Sequence, residues 1–120
     1  IMDYNINVKD NSLLILLMDG AMCLRLERKD ELRKSRSEGT DSESTVAWRR
    51  FTYKRASVVL ASMLLTFDRN HHREMNKYAS DTPTDKAEMA VLKAGIMKRK
   101  AEFEFALAEC KDAEESWLAK

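Results

Sequence analysis

Residues 89–117 read MAVLKAGIMKRKAEFEFALAECKDAEESW. Within this stretch Met89, Leu92, Ile96, Arg99, Phe103, Ala106, Cys110, Ala113 and Trp117 recur at alternating spacings of three and four. An α-helix turns once in 3.6 residues, so this spacing lays all nine on one stripe. Every member except Arg99 is apolar or a cysteine. The stretch therefore reads as a long helix with coiled-coil-like packing. Its stripe is either a core face within the chain's own bundle or a seam for a partner helix. On the second reading the partner-binding residues are Met89, Leu92, Ile96, Arg99, Phe103 and Trp117. Arg99 either snorkels from the stripe edge or fixes register against a carboxylate.

Upstream, residues 79–85 (ASDTPTD) interrupt the helical pattern, because Pro83 cannot continue a helix and pushes Thr82 extended. Thr84 is the expected cap of the last helix, with Ala87 leaving the capping box incomplete. Residues 45–78 read as one helix capped by Ser44 or Thr45, with a possible kink near Asn70. Ser57 to Phe67 (SVVLASMLLTF) is apolar almost all round, which places this helix centrally. Residues 35–44 (SRSEGTDSES) contain no apolar side chain and read as a flexible linker.

The N-terminal part is less decisive. Residues 13–36 start apolar on every side and become charged after Leu26, with Leu13, Leu17, Gly20 and Leu24 at helical spacing. Asp19-Gly20 between two apolar runs is also a hairpin signal, so residues 4–26 stay open between helix and hairpin. The Leu, Met and Ala content favours the helix. There Gly20 costs about 1 kcal/mol relative to Ala and suggests close packing by a neighbour. Asp10, Asn11 and Ser12 offer a cap, and residues 1–12, with Tyr4, Ile6 and Val8 alternating, form a short strand or an ordered arm.

Composition agrees with helices. The 120 residues include one Pro and three Gly, too few for the turns of a sandwich or barrel. The expected architecture is all-α: one domain over 1–120, an antiparallel bundle of three long helices. The alternative is a short N-terminal β-hairpin followed by two long helices. Because the first helix is the shortest, one end of the long pair is left uncovered. Cys23 and Cys110 read as reduced, buried thiols of a cytoplasmic protein. The start Ile1-Met2-Asp3-Tyr4 lacks the basic region of a signal peptide. Leu13–Leu26 contains Asp19 and Arg25 and is too short to span a bilayer, so no membrane partner is expected.

The net charge of +1 conceals a polarity. Residues 25–55 are predominantly basic and residues 101–120 predominantly acidic, which allows head-to-tail pairing within or between chains. Trp48-Arg49-Arg50-Phe51-Thr52-Tyr53-Lys54-Arg55 interleaves cations with aromatics and lacks an acid. Cations neutralise phosphate and aromatics stack on bases, so Arg49, Arg50, Lys54 and Arg55 are candidate nucleic-acid contacts. On a helix Arg50 and Lys54 share one face, and Trp48, Phe51 and Arg55 another. The competing reading sends the aromatics to the core and the cations to water.

Catalytic constellations are absent from the sequence. His71-His72-x-Glu74 is the only His cluster, and neither Glu-x-x-His nor His-Glu-x-x-His occurs. There is no Gly-rich phosphate loop, nucleophile elbow or Cys-x-x-Cys. Asp19, within an apolar run, is the best candidate for a perturbed carboxylate. No metal, cofactor or catalytic residue is expected, and the chain is not read as an enzyme.

Leu13-Leu14-Ile15-Leu16-Leu17-Met18-Asp19-Gly20-Ala21 resembles the opening helix of flagellin-export chaperones, where an apolar run ends in Asp-Gly-Ala. Trp117 resembles that family's C-terminal Trp. The resemblance implies a small cytosolic helical bundle that wraps a secreted partner. Pro83 departs from it, standing where that family has a continuous helix, and the usual Pro before the first apolar run is missing. The basic first half and long last helix are similar in layout to small phage recombination mediators that bind single strands. The expected function is thus a non-catalytic helical interaction protein (chaperone, adaptor or scaffold subunit) that self-associates or binds a partner helix. The alternative is a nucleic-acid-binding helical oligomer using residues 48–55.

Overall fold

The structure, a computed structural model, describes residues 4–120. Three helices follow in order: α1, Asn11–Glu38; α2, Glu43–Tyr78; α3, Pro83–Leu118. The apolar run of α1 passes through Asp19-Gly20 without a break, so the hairpin alternative is overturned. Good helix formers flank the dipeptide on both sides, and Gly20 weakens the helix without breaking it.

Caps explain the boundaries. Asp10 accepts from the Ser12 amide at 2.9 Å and starts α1. Gly39, at φ 66°, ends it in the left-handed conformation that glycine adopts without a Cβ clash. Ser42 caps α2 through the Thr45 amide. The connection between α1 and α2 is therefore residues 39–42, shorter than the linker read over 35–44. Ser35 lies inside α1, buried, and donates to Asp41. Thr82, not Thr84, caps α3, because Pro83 is favoured in the first turn. Asp85 closes the corner by accepting from the Ser80 amide at 2.7 Å and hydroxyl at 2.6 Å, which holds its carboxyl below the usual range.

α2 is the central helix. It runs antiparallel to both neighbours, shown by Asn11–Phe67 and Arg25–Ser57 on one side and by Arg99–Asp68 and Lys54–Glu109 on the other. α1 and α3 each pack on α2 but not on one another. The arm lies along α2. The Ile6 amide donates to Ser62 Oγ (2.9 Å), Thr66 Oγ1 donates to the Ile6 carbonyl (2.5 Å), and Asn70 Nδ2 donates to the Val8 carbonyl (2.7 Å). Tyr4, Ile6 and Val8 turn inward and Asn5, Asn7 and Lys9 outward, as their alternation predicts. Ile1, Met2 and Asp3, the rest of the arm read over 1–12, lie outside the described residues.

The main core joins the arm, α2 and α3: Tyr4, Phe51, Val58, Leu65, Phe103, Cys110 and Ala113. Burial pushes the Tyr4 hydroxyl up to about 12, helped by the Cys110 thiol 3.8 Å away, and the same desolvation raises the Cys110 thiol. Cys23, by contrast, is exposed, so only one of the two cysteines is the buried thiol expected. No helix of the described residues is long and apolar enough to cross a membrane.

Candidate interaction surface

The stripe of α1 that faces α2 is not the one its apolar spacing suggested. Leu14, Met18, Ala21, Arg25, Arg28, Leu32 and Ser35 are buried or half-buried along it, again at spacings of three and four. Its middle is polar. Arg25 Nε donates to Ser57 Oγ at 3.1 Å, and its Nη2 donates to Tyr53 Oη at 3.2 Å. Arg28 donates to both carboxylate oxygens of Glu31. Leu14 and Leu32, at either end, are the fully apolar anchors.

The consequence is that most leucines of α1 point outward. Leu13 is 48% exposed, Leu16 72%, Leu17 40% and Leu24 42%, and Ile15, Met22 and Leu26 are exposed further round. Leu13, Leu16, Leu17, Gly20, Cys23 and Leu24 make one continuous stripe across about three turns, ended by Glu27. Nothing lies within 4 Å of where a Gly20 Cβ would stand. The close neighbour expected at Gly20 is thus missing within the chain, because Gly20 sits opposite the α2-facing side. The largest apolar patch on a protein surface is often a functional one.

The Met89–Trp117 stripe is turned to α2. Phe103, Cys110 and Ala113 are core, and Ile96, Ala106 and Trp117 pack against it. Phe51 and Trp117 stack at 5.6 Å and 8°, and Trp48 closes on Trp117 at 4.6 Å. Arg99 meets Asp68 of α2 at 3.4 Å and Glu102 of its own helix at 3.2 Å. Met89 and Leu92 are half-buried near the α2–α3 corner, where the long pair extends beyond α1. A groove of about 730 Å³ opens at this end, lined by His71, Met75, Pro83, Ala87 and Leu92. On the opposite side of α3, Met97 and Phe105 are exposed among Ala90, Ala94, Ala101 and Ala108.

The basic stretch is largely paired inside the chain. Arg50 meets Asp112 at 2.9 Å and Lys54 meets Glu109 at 2.8 Å, joining α2 to the acidic end of α3. Arg49 meets Glu31 at 3.5 Å and Asp41 at 3.7 Å, ion pairs with its Nε lacking a hydrogen bond. Arg55 lies over the Phe51 ring at 5.2 Å. Trp48 and Phe51 form an aromatic cluster with Trp117, in which Trp48 stays 40% exposed.

Asp19 is an exposed residue of α1, remote from His71 and His72 near the far end of α2. Among the described residues there is no group of three or more His, Cys, Asp or Glu side chains placed to hold a metal. The outward leucine stripe is the feature that sequence reading missed. Its signal was an apolar run on every side of residues 13–26, which carries no phase. The chain matches no protein-family model, no curated protein and no solved structure.

Proposed function

We infer that this chain is a non-catalytic helical interaction protein, of the chaperone, adaptor or scaffold-subunit kind, whose working surface is the outward face of α1. One observation carries this reading: α1 turns Arg25 and Arg28 toward its own bundle, and Leu13, Leu16, Leu17 and Leu24 away from it. Burying exposed apolar surface is the main driving force for association, at about 25 cal/mol per Å². A cytoplasmic setting is supported by two free cysteines.

The test is a photo-crosslinking amino acid placed at Leu16, compared with the same group at Lys111 on the acidic end of α3. Adducts of defined mass from position 16 and none from position 111 are expected. No adduct from 16, or equal yields from both, would remove the reading. The nucleic-acid alternative has weaker support, because Arg49, Arg50 and Lys54 already face carboxylates of this chain. Titrating single-stranded DNA at about 50 and 200 mM salt separates the two. Binding that weakens steeply with salt and is lost on reversing Arg49 and Arg50 would put the alternative first.

A further inference from the structure

We propose that the occupant of the α1 face is the α1 of a second copy of this chain, packed antiparallel and crossing near residues 18–19. The proposal rests on the reading of α1 as the working surface and names what covers it. Three observations select this occupant.

The first is area. The exposed fractions of Leu13, Leu16, Leu17 and Leu24 add to about two whole leucines. With Gly20 and Cys23 they present roughly 400 Å² of apolar surface. One side of a standard interface buries about 800 Å², of which somewhat over half, roughly 450 Å², is apolar. The stripe is thus the size of one side of a symmetric dimer.

The second is shape. Leu13, Leu17, Gly20 and Leu24 are spaced four, three and four, a pattern that reads the same in both directions. In an antiparallel pair Leu13 falls opposite the partner's Leu24, and Leu17 falls opposite the partner's Gly20. The space over Gly20 is open, so it receives the leucine as a knob. A parallel pair would put Gly20 on Gly20 and leave that space unfilled between bulky leucines.

The third is charge. Between Leu13 and Leu26 the only ionisable side chains besides Cys23 are Asp19, at the flank of the stripe, and Arg25, which is engaged by Ser57 and Tyr53. The stripe itself is free of charge from Leu13 to Leu24, as the desolvated centre of an interface requires.

The experiment is sedimentation of the full chain at about 50 μM, well above a micromolar dissociation constant. The expected mass is twice 13.9 kDa. Leu16→Asp, at a 72% exposed position that the fold does not use, is expected to give a folded monomer by circular dichroism. Met97→Asp, on the outward side of α3, is expected to leave the dimer intact. Orientation is read by disulfide trapping in Cys23→Ser chains: Leu13→Cys mixed with Leu24→Cys crosslinks, and neither does so alone. In the antiparallel pair the unmodified Cys23 side chains lie about 14 Å apart along the axis, nine residues at 1.5 Å each, and stay uncrosslinked.

A wild-type monomer overturns the proposal, as does a dimer lost in Met97→Asp but kept in Leu16→Asp. Ready Cys23–Cys23 crosslinking overturns the antiparallel arrangement. A monomer that still forms position-16 adducts of another mass refutes the second copy while sparing the α1 reading. A monomer without such adducts removes both.

Discussion

Replacing Leu14 and Ile15, one at a time, by Ala tests which way α1 is turned. The two residues are adjacent in one helix and similar in size, yet Leu14 is 0% exposed and Ile15 is 53% exposed. Leu14→Ala removes three carbon groups from a closed site. At about 0.8 kcal/mol each the transfer loss is roughly 2.4 kcal/mol, and an unfilled cavity adds to it, giving about 3 kcal/mol. Ile15→Ala removes a half-solvated side chain and gains a few tenths of a kcal/mol in helix propensity, so it stays within about 0.5 kcal/mol of zero. Ile15 also lies outside the stripe assigned to a second copy, so association does not confound it. Urea unfolding followed by tryptophan fluorescence is the assay. With a slope of about 2 kcal/mol per M, the midpoint of Leu14→Ala falls by roughly 1.5 M and that of Ile15→Ala hardly moves. Equal losses, or a larger loss at Ile15, would refute the rotation of α1 and with it the outward leucine face.

Tyr4 makes the chain sensitive to alkali. Its folded value of about 12 exceeds the ordinary 10.0, so the stabilisation is complete below pH 10 and is lost as pH rises towards 12. The loss amounts to at most about 3 kcal/mol, and Tyr4→Phe is expected to flatten that part of a denaturation–pH profile. The Lys54–Glu109 pair is partly exposed and should show a coupling of about 0.5–1 kcal/mol in a double-mutant cycle with Ala, fading at high salt. Gly39→Ala is expected to cost about 1 kcal/mol by thermal unfolding, because φ 66° disfavours a Cβ although no atom stands in its way.

Three long helices were legible because their stops are chemically sharp: Gly39 at one turn, Pro83 at the other. The α3 stripe was legible because its positions recur at alternating spacings of three and four from Met89 to Trp117, with Arg99 the one charged member. α1 offered no single spacing of that length. Over residues 13–26 apolar side chains occupy every direction, so the Leu13–Leu17–Gly20–Leu24 spacing was as visible as Leu14–Met18–Ala21–Arg25. Apolar character favoured the first, and tertiary contact selected the second, because Arg25 reaches Ser57 and Tyr53 on α2. The Asp19-Gly20 hairpin signal failed for a related reason, since a glycine on the outer side of a helix loses no packing. The caps of α2 and α3 stood two residues earlier than expected, where Ser42 and Thr82 reach back to the third amide of each helix.

The basic stretch shows why a local motif is a weak guide to a site. Read alone, residues 48–55 combine everything a single strand would need. In the fold the same residues are divided by helical phase between the carboxylates and the tryptophan of α3. Arg50 and Lys54 meet Asp112 and Glu109, while Trp48 and Phe51 meet Trp117. Both sets tie the start of α2 to the end of α3, so the head-to-tail charge polarity is satisfied within the chain. The leucines of α1 present the opposite case. Leu16 could be polar without disturbing a contact of the bundle, since the anchors of α1 are Leu14, Leu32 and the hydrogen bonds of Arg25. A hydrophobic side chain that the fold does not use is exposed at a cost in solubility. Covering it would offset that cost, which supports the proposal that the chain works through the side of α1 that its own core leaves open.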